Sequence, residues 1–133
     1  MTLRLISLLL FCSLLPACNS VSTKSQGESL VNSIDEYVAA LRWGRFDSAA
    51  QYHLNKDNSA MEVDTSQLEY IRVTGHKVKK KSINEAVDEA QVEIELQYYH
   101  NEYGTLKKLV TKQTWWYSAE AKKWFLSNDF PKF

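Results

Sequence analysis

Apolar residues recur at three- and four-residue steps from Leu30 onward, at Leu30, Ile34, Tyr37, Val38 and Leu41. That period places them on one face of a helix. It predicts a first helix from Ser29, with Asp35 and Glu36 on the opposite face and Gly44 as its C-terminal stop. A second helix follows, with Asp47 as the candidate N-cap and Ala49, Ala50, Tyr52 and Leu54 after it. Asn55-Lys56-Asp57-Asn58-Ser59 breaks the pattern, and residues 64–70 read as a short third helix or a turn capped by Asp64 or Ser66.

At Ile71 the period changes to two. A first strand is expected from Ile71 through the lysines near position 80. Ala90 to His100 is the clearest strand, with Val92, Ile94, Leu96 and Tyr98 on one face and Glu93, Glu95 and Gln97 on the other. Asn101-Glu102-Tyr103-Gly104 suits a type I turn with Gly104 left-handed. A return strand from Thr105 to about Tyr117 then sets Tyr98 opposite Lys108 and Leu96 opposite Val110. Whether Trp115 or Trp116 points inward stays open. A turn over residues 118–122 leads to a last strand at Trp124-Phe125-Leu126. Helices first and antiparallel strands after them give an α+β class: N-terminal helices packed on a curved antiparallel sheet of about four strands.

The first 17 residues do not belong to that domain. Arg4 precedes an apolar run from Leu5 to Leu15, which is too short to cross a bilayer. The run ends in Leu15-Pro16-Ala17-Cys18, which resembles the lipobox of bacterial lipoproteins. The resemblance implies cleavage before Cys18, lipidation of its sulfur and acylation of the new amino terminus. Asn19 does not match the Asp that retains enterobacterial lipoproteins in the inner membrane, so the expected location is the outer membrane, facing the periplasm. Residues 19–28 are polar and read as a flexible tether, making residues 18–28 a lipidated cysteine with its linker and residues 29–133 the domain.

The chain carries 16 Lys and Arg against 16 Asp and Glu. The leader holds one charged side chain, Arg4, so the mature chain stays within one charge of neutral. That balance argues against nucleic acid as a partner. Cys12 leaves with the leader and Cys18 is spent on lipid, so no disulfide or cysteine metal site is expected. The spacing of His53, His76 and His100 fits no ligand motif, and no cofactor motif is present.

The run Tyr37-Val38-Ala39-Ala40-Leu41-Arg42-Trp43-Gly44-Arg45-Phe46-Asp47-Ser48-Ala49-Ala50 resembles the nuclear-transport-factor-2-like (cystatin-like) domains. Gln113-Thr114-Trp115-Trp116-Tyr117, a short turn and Lys123-Trp124-Phe125-Leu126 are similar to their final hairpin. The resemblance implies a cone-shaped sheet closed by the helices. Enzymes of that superfamily place Asp, Tyr or His groups in the cone, so Tyr37, Tyr52, His53, Tyr98 and His100 are the candidate pocket-lining residues. The competing reading makes Tyr37 and Tyr52 packing residues with wet hydroxyls, and puts His53 on the exposed side of a short helix and His100 beside a turn. No Asp is clearly inward, so no cavity base is assigned.

A second candidate is an interaction face of Trp116, Phe130, Phe133, Lys79 and Lys81, offering an aromatic patch on the outer sheet face to a protein partner or a second copy of the chain. The lysine run Lys77, Lys79, Lys80 and Lys81 reads either as a surface for anionic envelope lipid or polymer, or as edge-strand protection. The expected function is that of a membrane-anchored, non-enzymatic binding or assembly module, for a protein partner, a second copy of the chain or a small apolar ligand in the cone. A small isomerase or dehydratase is the alternative.

Overall fold

The structure, a computed structural model, describes residues 18–133. The expected leader, residues 1–17, lies outside the described residues. One long helix, α1 (Cys18–Arg42), is followed by the short helix α2 (Phe46–Ala50), a single 3-10 turn (Ser66–Leu68) and four strands. The strands are β1 (Ile71–Ile83), β2 (Glu89–His100), β3 (Lys107–Ser118) and β4 (Lys123–Leu126). They form one antiparallel sheet in the order β1-β2-β3-β4. The α+β class and the four-stranded antiparallel sheet therefore stand.

The helix starts earlier than the apolar pattern indicates, at Cys18 rather than Ser29, so the segment expected to be a flexible tether is helical. Its buried stripe is continued upstream of Leu30 by small and polar residues. Thr23, Gln26 and Gly27 are half-buried, and the Trp124 indole of β4 donates to the Gln26 carbonyl at 3.0 Å. A hydrophobicity pattern does not register such a face.

At the other end α1 closes as expected at Gly44. Arg45 N donates to Ala40 O at 2.8 Å and Gly44 N to Leu41 O at 3.2 Å, the two bonds of a Schellman cap. Gly44 has φ +66° and open space where a Cβ would sit. Gly44→Ala is therefore expected to cost about 1 kcal/mol through backbone strain alone, without a steric term, in chemical denaturation. Asp47 does not cap α2: the helix begins one residue earlier at Phe46, and Asp47 accepts from Thr65 Oγ1 at 2.9 Å. The 3-10 turn has Thr65, not Asp64 or Ser66, at its N-cap position and no side-chain cap; Asp64 accepts from Ser66 N at 2.9 Å just ahead of it.

The β2–β3 register differs from the expected one by a single residue. Tyr98 pairs with Lys107 and Leu96 with Leu109. Gly104 is left-handed as read, and both Tyr103 N and Gly104 N donate to His100 O, but Thr105 and Leu106 stay outside the ladder. Because strand side chains alternate, one residue of slip exchanges the two faces of β3. Trp115 is thereby sent inward, where it is fully buried, and Val110 is left 51% exposed. The free edge of β4 is covered by residues 52–54, which run parallel to it: Leu126 N donates to Tyr52 O at 2.7 Å and Leu54 N to Leu126 O at 2.9 Å.

The core lies between α1 and the inner sheet face. Leu30, Ile34, Tyr37, Val38 and Leu41 meet Val92, Ile94, Leu96, Trp115, Trp124 and Leu126 there. On the outer face Glu95 is reached by Lys108 at 3.1 Å and by Lys79 at 3.8 Å. β1 is an edge strand, broken by register shifts at Val73/Gly75 and Val78/Lys80. Bulges and lysines together are the usual means of keeping an edge from pairing with another sheet.

Candidate functional site

The alternation of buried and half-buried positions points Trp115 from β3 at the middle of α1. Tyr37 reaches it from α1, with ring centroids 5.8 Å apart at 85°, and Tyr52 meets both rings edge-on at 5.8 and 6.1 Å. His53 enters because the parallel bridge to Leu126 turns the chain inward once α2 has ended. It is 4% exposed, so its expected place on the exposed side of a short helix is corrected. Three of the five candidate pocket residues, Tyr37, Tyr52 and His53, are thus brought together.

The hydrogen bonds fix the protonation pattern. His53 Nδ1 lies 2.7 Å from the Asn128 carbonyl oxygen, which can only accept, so Nδ1 carries the proton. Nε2 of the neutral ring then accepts from the Tyr37 hydroxyl at 3.1 Å. Burial lowers the His53 pKa below its ordinary 6.5, outweighing the opposing bond to Asn128 and the charge of Asp129. Burial also holds the Tyr37 hydroxyl far above its ordinary range, so it stays a proton donor within the hydrogen bond. The Tyr37 hydroxyl is therefore enclosed, not wet as the packing interpretation had it. Tyr52 donates to Glu36 Oε2 at 2.6 Å, and burial and that carboxylate raise its pKa as well. The Lys123 ammonium sits 4.1 Å from the centre of the Tyr52 ring.

The C-terminal tail seals this cluster. Phe130 packs on the His53 ring at 5.1 Å, and Asn128 Oδ1 accepts from Thr114 N. Tyr98 is buried at a neighbouring position, against Phe133 at 5.1 Å, and Phe133 also meets Phe46. His100 is not part of the cluster. It lies at the far end of the sheet, stacked on Tyr70 at 5.5 Å and against Tyr103 at 4.9 Å.

The second candidate group is not one face. Phe130 and Phe133 pack on the core from the tail. Trp116 is on the other side of β3, 9% exposed, with its indole donating to Leu54 O at 2.9 Å and its ring tilted on Phe125. Lys79 is drawn toward Glu95, and Lys81 is at a register position opposite the inward Val92. An aromatic patch on the outer face does not form, because the residues that would make it are divided between two sides of the sheet. Asn128 is the part of the site that the sequence does not signal: nothing in the composition of the tail indicates that it will join β3 and His53.

Among the described residues no buried side-chain polar atom lacks a hydrogen-bond partner, and no group of His, Cys, Asp and Glu is placed to hold a metal. No helix of the described residues is long and apolar enough to cross a membrane.

The buried histidine gives the fold a pH dependence of defined sign. Its folded pKa lies below the unfolded 6.5, so its contribution is fully present above pH 6.5 and is lost as pH falls below that value. Glu95, Asp57 and Asp64 have carboxyls held below their ordinary values, so they act in a more acidic window. Thermal midpoints measured between pH 7.5 and 5 should fall for the parent chain and fall less for His53→Gln. Comparison with family models, with curated proteins and with solved structures finds no match to this chain.

Proposed function

We propose that this chain is a lipid-anchored envelope protein whose folded part is a non-enzymatic binding or assembly module of the nuclear-transport-factor-2-like kind. Its anchor would be Cys18 and its location the periplasmic face of the outer membrane. One observation carries the binding role. The space between α1 and the sheet is filled by Tyr37, Tyr52, His53, Trp115 and Trp124, and the polar groups there are engaged with one another. A general base must come within hydrogen-bond reach of its substrate, and His53 is buried with Phe130 packed on its ring. That weighs against an isomerase or dehydratase and moves the functional surface to the exterior. Binding of envelope lipid or polymer through the lysines is the weaker reading, since Glu95 pairs with Lys79 of the run as well as with Lys108, and the bulges of β1 account for lysines there as edge protection.

In-cell crosslinking of the full-length chain, with light scattering on the purified protein, tests the role. A defined adduct or a stable homo-oligomer is expected. A strict monomer that forms no adduct contradicts it.

A further inference from the structure

The described chain contains three arginines, Arg42, Arg45 and Arg72, against many lysines. All three lie at one end of the molecule, where α1 finishes and β1 begins. Arg42 and Arg72 line an open groove of about 420 Å³ with Trp43, Gly44, Phe46 and Glu69. Arg45 stands in the chain between two of those lining residues. The three ion pairs of the described residues all use lysine, so none of these guanidiniums has a carboxylate partner. Arg72 is held in place through Nη1, which donates to Glu69 O and Ile71 O at 2.7 and 2.9 Å.

The same end collects the exposed aromatics. Trp43 is 79% exposed, Tyr103 74% and Tyr70 44%, while Trp115, Trp116 and Trp124 are buried. Tyr70, which stands in the chain between the groove residues Glu69 and Arg72, stacks on His100, and Tyr103 meets His100 at a tilt. Exposed Trp, Tyr and Arg on one patch is the composition of protein-interface hot spots. Guanidinium forks suit carboxylates in particular. The patch lies at the end of a 25-residue helix opposite Cys18, about 36 Å along its axis, so the anchoring proposed above would leave it open to a molecule approaching from the aqueous side.

We propose that this groove docks an acidic segment of a partner protein, with carboxylates on Arg42 and Arg72 and an apolar side chain against Trp43. The assignment rests on the binding role proposed above and names its partner class. Trp43 is the one tryptophan open to solvent, so it reports on its own occupancy.

The test uses the full-length chain in detergent and an acetylated hexapeptide with glutamate pairs on both sides of a leucine–phenylalanine centre. Its glutamine counterpart and inorganic phosphate serve as comparisons. The glutamate peptide should protect Trp43 from acrylamide quenching, and Trp43→Phe should abolish the signal. Charge-assisted bonds of this kind correspond to about tenfold or more in affinity. The glutamine peptide should therefore bind at least about tenfold more weakly, as should Arg42→Gln/Arg72→Gln with an unchanged circular dichroism spectrum. Arg42→Gln alone breaks no hydrogen bond of the described chain and should weaken binding in the same direction. Equal binding of the two peptides, undiminished binding by the arginine variants, or equal protection by phosphate overturns the assignment. If the arginine variants keep the in-cell adduct of the parent chain, the groove fails while the binding role stands. If the parent chain forms no adduct or oligomer, both fail.

Discussion

Trp115→Ala is expected to remove about 3–5 kcal/mol of folding stability, the range for deleting a large aromatic from a packed core. Trp115 is fully buried, edge-on to Tyr37 and close to edge-on to Tyr52, and its indole donates to Gln113 Oε1 at 3.0 Å. The substitution leaves a cavity beneath α1 and a buried amide oxygen without its donor, which adds about 1–3 kcal/mol if water does not replace the bond. A domain of this size has about 5–15 kcal/mol in total, so the variant should be close to unfolding at 37 °C. Trp43→Ala provides the contrast. Its side chain is mostly in solvent, and a change within about 0.5 kcal/mol is expected. Urea unfolding of residues 19–133 measures both. Equal effects at the two tryptophans would contradict the observed register of β3, because that register alone decides which of its faces is buried.

If Cys18 carries the proposed lipid anchor, Cys18→Ala is expected to move the chain from the membrane to the soluble fraction. Each buried methylene of an acyl chain contributes about 0.8 kcal/mol, so two or three chains hold a protein on a bilayer almost permanently. The helices of the described residues offer no substitute, as none is long and apolar enough to span the membrane. The parent chain should incorporate labelled palmitate and sediment with membranes, while the variant should do neither. Sedimentation of an unlabelled variant would show that something other than Cys18 holds the chain.

The elements were legible in the sequence wherever one period dominated. Val92, Ile94, Leu96 and Tyr98 gave β2 with its faces correctly assigned, and Gly44 gave the end of α1, since only glycine enters the left-handed cap without strain. The start of α1 was not legible, because Thr23, Gln26 and Gly27 extend its buried face without hydrophobicity. The β2–β3 register lies one residue from the one that turn chemistry suggests, because two residues beyond Gly104 stay outside the ladder. His53 was misplaced for a related reason. Its burial comes from residues 52–54 aligning with β4 and from a tail 75 positions away, both long-range pairings. Helical spacing alone puts Tyr37 in the core, but the bond between Tyr37 and His53 is visible only once the chain has closed.

The proposed binding role rests on an interior that is filled and internally bonded. The most direct test is nitrogen-15 resonance spectroscopy of the His53 ring across a pH titration. A neutral ring protonated on Nδ1, with a midpoint below 6.5, is the outcome this account requires. A midpoint at or above 6.5, or a proton on Nε2 with Nδ1 free, would mean that the ring is open to solvent or to a ligand and would contradict it.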